Sequence, residues 1–134
     1  MSDELIAVHS EDRSEDTAQT DGLPRLAGIG PNATGTDDLW MGRVTGEPGE
    51  DSAPHHHGEA ETGGYILSGN TRIFYGENYD ECVDLEPGDF VYVPPFTPHV
   101  ERNLNEDQPV EFVTVRTPAN ITENLTVDPD LPPR

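Results

Sequence analysis

Residues 65–95 decide the fold: Tyr65-Ile66-Leu67, Ser68-Gly69-Asn70, Thr71-Arg72-Ile73-Phe74-Tyr75, Gly76-Glu77-Asn78, then Cys82-Val83-Asp84-Leu85, Glu86-Pro87-Gly88-Asp89 and Phe90-Val91-Tyr92-Val93-Pro94-Pro95. β-branched and aromatic side chains fill each run, and each run closes on Gly, Asn, Asp or Pro, which supply turn geometry. Ser68-Gly69-Asn70 is a tight-turn signature. The rhythm continues outward to Leu39–Val44, closed by Gly46-Glu47-Pro48-Gly49, and to His99–Asn103 and Val110–Val115. Short strands with turn signals every eight to twelve residues predict an all-β sandwich or barrel. No stretch keeps a helical period over ten residues.

The chain has 134 residues, the size of one ordinary domain, with 27 acidic residues against seven arginines and no lysine, for a net charge of −20. Hydrophobic content of 32% with 13 Gly and 13 Pro lies near the disordered class. The apolar residues are concentrated between Leu39 and Val115, however, which argues for a folded centre. We expect an acidic, flexible N-terminal segment (1–22), a barrel domain (23–126) and a C-terminal tail (127–134). Within the first of these, Leu5-Ile6-Ala7-Val8 is a candidate edge strand.

The charge bears on partners and habitat. A strongly acidic chain without a basic patch repels phosphate, so nucleic acid and anionic membrane surfaces are disfavoured. Carboxylates in place of lysines keep a surface hydrated at molar salt, where the Debye length is roughly 3 Å. We therefore expect a cytoplasmic protein of a salt-loving organism, the alternative being an acidic protein from an arginine-rich mesophile. The N-terminus does not read as a secretory signal, and no apolar run nears the ~20 residues of a membrane span. The single cysteine, Cys82, excludes an intramolecular disulfide and is expected to pack as a small apolar side chain. Gly28-Ile29-Gly30 is followed by Pro31 and lacks the strand–turn–helix context of a dinucleotide site.

Four of five histidines fall at two places, His55-His56-His57 and His99. In an extended segment His55 and His57 share a face and His56 points away. Glu61 can return to that face after Gly58, and His99 would arrive from a distant strand. Three imidazoles and a carboxylate suit one divalent transition metal such as Fe, Mn, Ni, Cu or Zn. A solvated histidine run in a proline-bounded loop is the plainer alternative.

The spacing favours the site. Gly49, five residues, His55-x-His57, three residues, Glu61 and seven residues to Gly69 make a first motif. Gly88, five residues, Pro94-x-Phe96, two residues, His99, three residues and Asn103 make a second, eighteen residues on. These resemble the two motifs of the cupin superfamily, and flanking strands extend the resemblance over roughly residues 39–116. It implies a small single-domain cupin β-barrel (double-stranded β-helix, or jelly roll) with its metal inside, near one mouth. Two departures stand out. Phe96 replaces a motif glycine, which predicts an altered turn before His99. The interval from Glu61 to Gly69 is one residue long, so strict counting from Gly69 puts Thr62 in the glutamate slot. A bulge at Gly63-Gly64 would keep Glu61 as ligand, with Glu59 as the less favoured substitute.

Tyr65 and Leu67 share Glu61's parity and are expected to face inward, with either Phe90 and Tyr92 or Val91 and Val93 lining the next strand. Tyr65 and Tyr92 are candidate hydrogen-bond donors to a bound substrate, packing being the stronger expectation. Trp40 reads as core and Arg43 as a surface arginine. What the resemblance implies is a metal-dependent enzyme on a small molecule, leaning to an oxidoreductase of dioxygenase type because the pocket candidates are apolar. Alternatives are a non-catalytic metal- or small-molecule-binding protein and a sugar-phosphate isomerase, which would want more basic residues. A neutral or metal-chelating substrate and a homodimer complete the expectations.

Overall fold

The computed structural model describes residues 4–126, so the tail assigned to 127–134 lies outside the described residues. Ten strands follow one another: β1 (Arg25–Ile29), β2 (Trp40–Gly46), β3 (His55–His56), β4 (Glu61–Ser68), β5 (Thr71–Tyr75), β6 (Glu81–Leu85), β7 (Phe90–Val93), β8 (His99–Asn103), β9 (Val110–Thr117) and β10 (Glu123–Asn124). Among the described residues helix is confined to two 3₁₀ turns, Ser10–Asp12 and Glu77–Tyr79. The strands pair antiparallel in two five-stranded sheets, β1-β2-β9-β4-β7 and β10-β3-β8-β5-β6. The expected all-β jelly roll is the fold found.

Alternation sets which residues meet between the sheets. On β2, Trp40, Gly42, Val44 and Gly46 are buried, while Met41 and Arg43 are exposed. On β9 the buried set is Val110, Phe112, Thr114 and Arg116. The core joins Leu23, Val44, Ile66, Ile73, Leu85, Val110 and Phe112 from both sheets, with Val91 packed against it. Burying a side chain such as Ile66 contributes roughly 1.5–3 kcal/mol.

On β4 the buried residues are Thr62, Gly64 and Ile66, with Glu61, Tyr65 and Leu67 exposed. The expected parity is therefore reversed: Tyr65 and Leu67 face away from the core. A one-residue offset moves a whole strand's side chains to the other face. Gly63 and Gly64 pair regularly with Tyr92 and Val91, and the register shift falls between Ile66 and Ser68 instead. Hence no bulge turns Glu61 inward. On β7, Val91 and Val93 take the inner positions, while Phe90 and Tyr92 are 78% and 59% exposed.

Two further expectations are corrected. Leu5–Val8 forms no strand, and Leu5 and Ile6 are exposed. Cys82 is exposed on β6, which among the described residues pairs only with β5 and forms the edge of its sheet. Elsewhere in residues 4–22 the chain is tied to the barrel: Ser14 bridges Ala27, Thr20 is buried, and Trp40 Nε1 donates to Thr17 Oγ1 at 3.0 Å. No helix among the described residues is long and apolar enough to cross a membrane.

Candidate metal centre

The register between sheet neighbours assembles the histidines. His55 on β3 is the direct cross-strand partner of His99 on β8, and His57 follows two residues after His55. Their ring centroids lie 4.3 Å (His55–His99), 5.0 Å (His55–His57) and 5.3 Å (His57–His99) apart. All three are buried, and one ligand nitrogen from each lies within 4.8 Å of the others. His56 points away and meets Glu123 Oε2 at 3.0 Å through Nε2.

Each ring's Nδ1 is held by a backbone carbonyl: His55 by Ala53 at 2.8 Å, His57 by Ile121 at 2.8 Å and His99 by Thr97 at 2.9 Å. A carbonyl only accepts, so each Nδ1 carries the proton and each Nε2 keeps its lone pair. Burial keeps the rings uncharged, pushing His55 down to about 2 and His99 to about 4. His57 is lowered further by burial and by the Arg116 guanidinium. Among the described residues the Nε2 of His55 has no hydrogen-bond partner, although it is buried. An imidazole with Nδ1 pinned and Nε2 bare is the arrangement of a ligand awaiting a cation.

The turn carrying His57 depends on Gly58, whose φ is +54° and whose absent Cβ would lie 2.9 Å from Ile121 Cγ2. The Gly58 carbonyl accepts from Phe96 N–H at 2.8 Å, tying this turn to the one before His99. Phe96 itself adopts φ +56°. That left-handed conformation is one glycine adopts freely, so with Phe96 in the place of the motif glycine the turn before His99 bears strain.

Around the rings lie three charged groups that the sequence reading did not single out. Arg116, at the buried end of β9's alternation, donates from Nη2 to His57 Nε2 at 3.0 Å, from Nε to Thr62 Oγ1 at 3.1 Å and from Nη1 to Asn120 Oδ1 at 2.8 Å. Its guanidinium also stands 5.2 Å from the Trp40 ring centre. Arg25 is buried and donates to Thr122 Oγ1 at 3.1 Å. Burial lowers both guanidinium pKa values, to about 10 for Arg25 and about 9 for Arg116. Glu101, two residues past His99 on the same face of β8, is pushed up to about 7 by burial. Its Oε2 lies 3.9 Å from the Nε2 of both His55 and His99. The signals were strand parity, His99-x-Glu101 and Phe112-x-Thr114-x-Arg116.

The expected fourth ligand is elsewhere. Glu61 lies on the outer face, where its Oε1 accepts from Tyr92 Oη at 2.7 Å, and Glu59 is exposed in the turn after Gly58. The inward slot holds Thr62. Tyr65 packs against Phe90 outside the barrel, whereas Tyr92, its hydroxyl held by Glu61, lines the open apolar cleft that also reaches His99. Arg43 pairs on the surface with Glu111 at 2.8 Å, and Trp40 is core.

Between the rings and the core is a cavity of about 20 Å³, room for roughly one water or ion. It shares Ile73, Val91, Val93 and His99 with an open apolar cleft of about 360 Å³, whose lining includes Tyr75 and Val83. A more open hollow of about 880 Å³ over β1 and β2 has none of the three histidines in its lining.

Comparison with known proteins agrees with this architecture. A family profile described as "Cupin domain" matches residues 42–116, more than half of the chain. No curated protein matches in sequence. Among solved structures, an uncharacterised protein with a double-stranded β-helix domain from Klebsiella pneumoniae superposes with a TM-score of 0.65 at 21% identity, covering 83% of this chain and 91% of that one. A polyketide cyclase from Streptomyces resistomycificus superposes with a TM-score of 0.72 at 19% identity, covering 95% and 89%. Oxalate decarboxylase from Bacillus subtilis reaches 0.67 at 21% identity over 82% of this chain, which spans only 29% of that larger protein. At such identities the likeness is one of fold.

Proposed function

This chain belongs to the cupin family, and from that premise we propose that it is a metal-dependent enzyme acting on a small molecule, with His55, His57 and His99 holding one divalent transition metal. The observation that carries the reading is the trio of buried rings, each with Nδ1 held by a carbonyl so that Nε2 keeps its lone pair; among the described residues His55 Nε2 has no partner, while His57 Nε2 accepts from Arg116. The donors fit a borderline ion such as Fe, Mn, Ni, Cu or Zn. Such an ion supplies Lewis acidity or, if redox-active, activation of oxygen.

The chain's own residues do the rest. The carbonyls of Ala53, Thr97 and Ile121 hold the rings in one tautomer before any ligand arrives. Ile73, Val91 and Val93 give the cleft beside His99 an apolar wall suited to an apolar or aromatic molecule. That lining supports the narrower reading, an oxidoreductase of dioxygenase type. It supports a sugar-phosphate isomerase less, since among the described residues the cleft itself is lined by no arginine and the Arg116 of the adjoining cavity is engaged by His57, Thr62 and Asn120. One observation favours a second reading, a binding protein without turnover: Arg116 already occupies the lone pair of His57.

Metal analysis of the purified protein, followed by oxygen-uptake assays on catechols, thiols and 1,3-diketones, separates the readings. Turnover with bound metal supports the enzyme. Tight metal with no turnover on any substrate favours the binding protein. Full metal occupancy in His57→Ala overturns the assignment of the centre.

A further inference from the structure

We propose that Glu101, rather than Glu61 or Glu59, supplies the carboxylate ligand of the centre, a reading that rests on metal binding by the three histidines. The geometry is direct. His99 and Glu101 alternate onto the same face of β8, and Glu101 Oε2 stands 3.9 Å from two of the three ring nitrogens. Donor atoms around one first-row ion stand roughly 3.0–3.4 Å apart. Glu101 lies outside the group of ligand atoms that all fall within 4.8 Å of one another, so a turn of its side-chain torsions, with no change of strand register, is the movement that ligation requires.

The backbone of Glu101 is already fixed: its N–H donates to Ser52 Oγ at 2.9 Å and its carbonyl accepts from Ser52 N–H at 2.8 Å. Its carboxylate, by contrast, makes no hydrogen bond among the described residues, and the side chain is only 11% exposed. A buried carboxylate without a hydrogen-bond donor is costly unless a cation answers it. Arg25 and Arg116 act on it through space without a hydrogen bond to it among the described residues: Arg116 donates to Thr62, Asn120 and His57, and Arg25 donates from Nη1 to Thr122 while its buried Nε has no partner there.

The competing carboxylates are committed outside. Glu61 accepts a hydrogen bond from Tyr92 on the outer face. Turning it inward would require a one-residue slip of β4, which would expel Ile66 from the core. Thr62, which holds the inward slot, uses its hydroxyl oxygen to receive Arg116. The centre thus takes its carboxylate from the strand of the second motif.

The test is cobalt(II) titration of the metal-free full chain, read by calorimetry and by the visible ligand-field bands. Wild type is compared with Glu101→Ala, Glu101→Gln, Glu61→Gln and His57→Ala, with folding of each checked by circular dichroism. Glu101→Ala should weaken cobalt binding at least tenfold, on the order of ligand-shell effects of 10- to 100-fold, and shift the bands, with Glu101→Gln intermediate. Glu61→Gln should stay within about twofold of wild type by the same measure. Should one Glu101 variant fail to fold, the other decides. Wild-type affinity and bands in a folded Glu101 variant, or a tenfold loss in Glu61→Gln, would overturn the assignment of Glu101 alone. Undiminished binding in His57→Ala would instead overturn the three-histidine reading beneath it.

Discussion

Replacing Arg116 by methionine should tighten metal binding while weakening the fold. Arg116 Nη2 donates to His57 Nε2 at 3.0 Å, the same lone pair a cation needs. Loading the centre therefore means giving up a hydrogen bond with a charged donor, worth about 1.5–3 kcal/mol. At 1.4 kcal/mol per factor of ten, its removal corresponds to a Kd lower by about 10- to 100-fold. Relief of repulsion between guanidinium and dication acts in the same direction. Methionine is unbranched, polarizable and able to fill the space beside Trp40. The variant also strands Asn120 Oδ1 and Thr62 Oγ1, so stability should fall by about 1–3 kcal/mol. Calorimetric zinc titration of metal-free protein at pH 8, above the value near 7 to which Glu101 is pushed, gives the affinity, and urea unfolding gives the stability. Unchanged or weaker zinc binding in folded R116M would refute the idea that Arg116 competes with the cation.

Phe96→Gly should raise stability by about 1 kcal/mol, read as a higher urea midpoint at unchanged slope, because Phe96 holds φ +56° while 63% exposed. A lower midpoint would mean that its contact with His56 outweighs the backbone strain. Metal-free protein should lose stability as pH falls from about 6.5 toward 4.5. Burial depresses the three ring pKa values, so the unfolded chain takes up protons there that the folded chain refuses. Glu101, raised to about 7, acts oppositely between its usual 4.5 and 7, but it is one group against three. A urea midpoint that rises on acidification would contradict this balance. Finally, native protein should react at once with a thiol reagent at Cys82, with one equivalent of colour before denaturant is added; a thiol silent until unfolding would place Cys82 inside.

Much of this architecture was legible in the sequence because turn residues and β-branched runs are local signals. The strands from Tyr65 to Val93 follow from turn signals and alternation, alternation puts His55 and His57 on one face, and the addition of His99 is what the cupin resemblance implies. What failed was parity on one strand. Glu61 and Thr62 differ by a single position, and the extra residue before Gly69 left both registers open. Tertiary packing chose the register that buries Ile66, and Glu61, Tyr65 and Leu67 went outside together. Glu101 and Arg116 share a strand face with His99 and Thr114 by alternation, but neither stands at a position of the two motifs. Cys82 was misplaced for another reason: whether a strand lies at a sheet edge is a property of the whole topology, which no local run of residues encodes.

The pairing of His55 with His99 has a kinetic consequence. The two rings belong to segments far apart along the chain, and β3 is only two residues long, so the trio exists only after β8 has found its place against β5. Contacts that join distant segments form late on the folding route. A cation that needs all three rings would then have little to hold in the folding transition state. It would leave the refolding rate near its metal-free value and act almost wholly by slowing escape from the native state. Occupancy would thus serve as a brake on unfolding rather than as a template for folding.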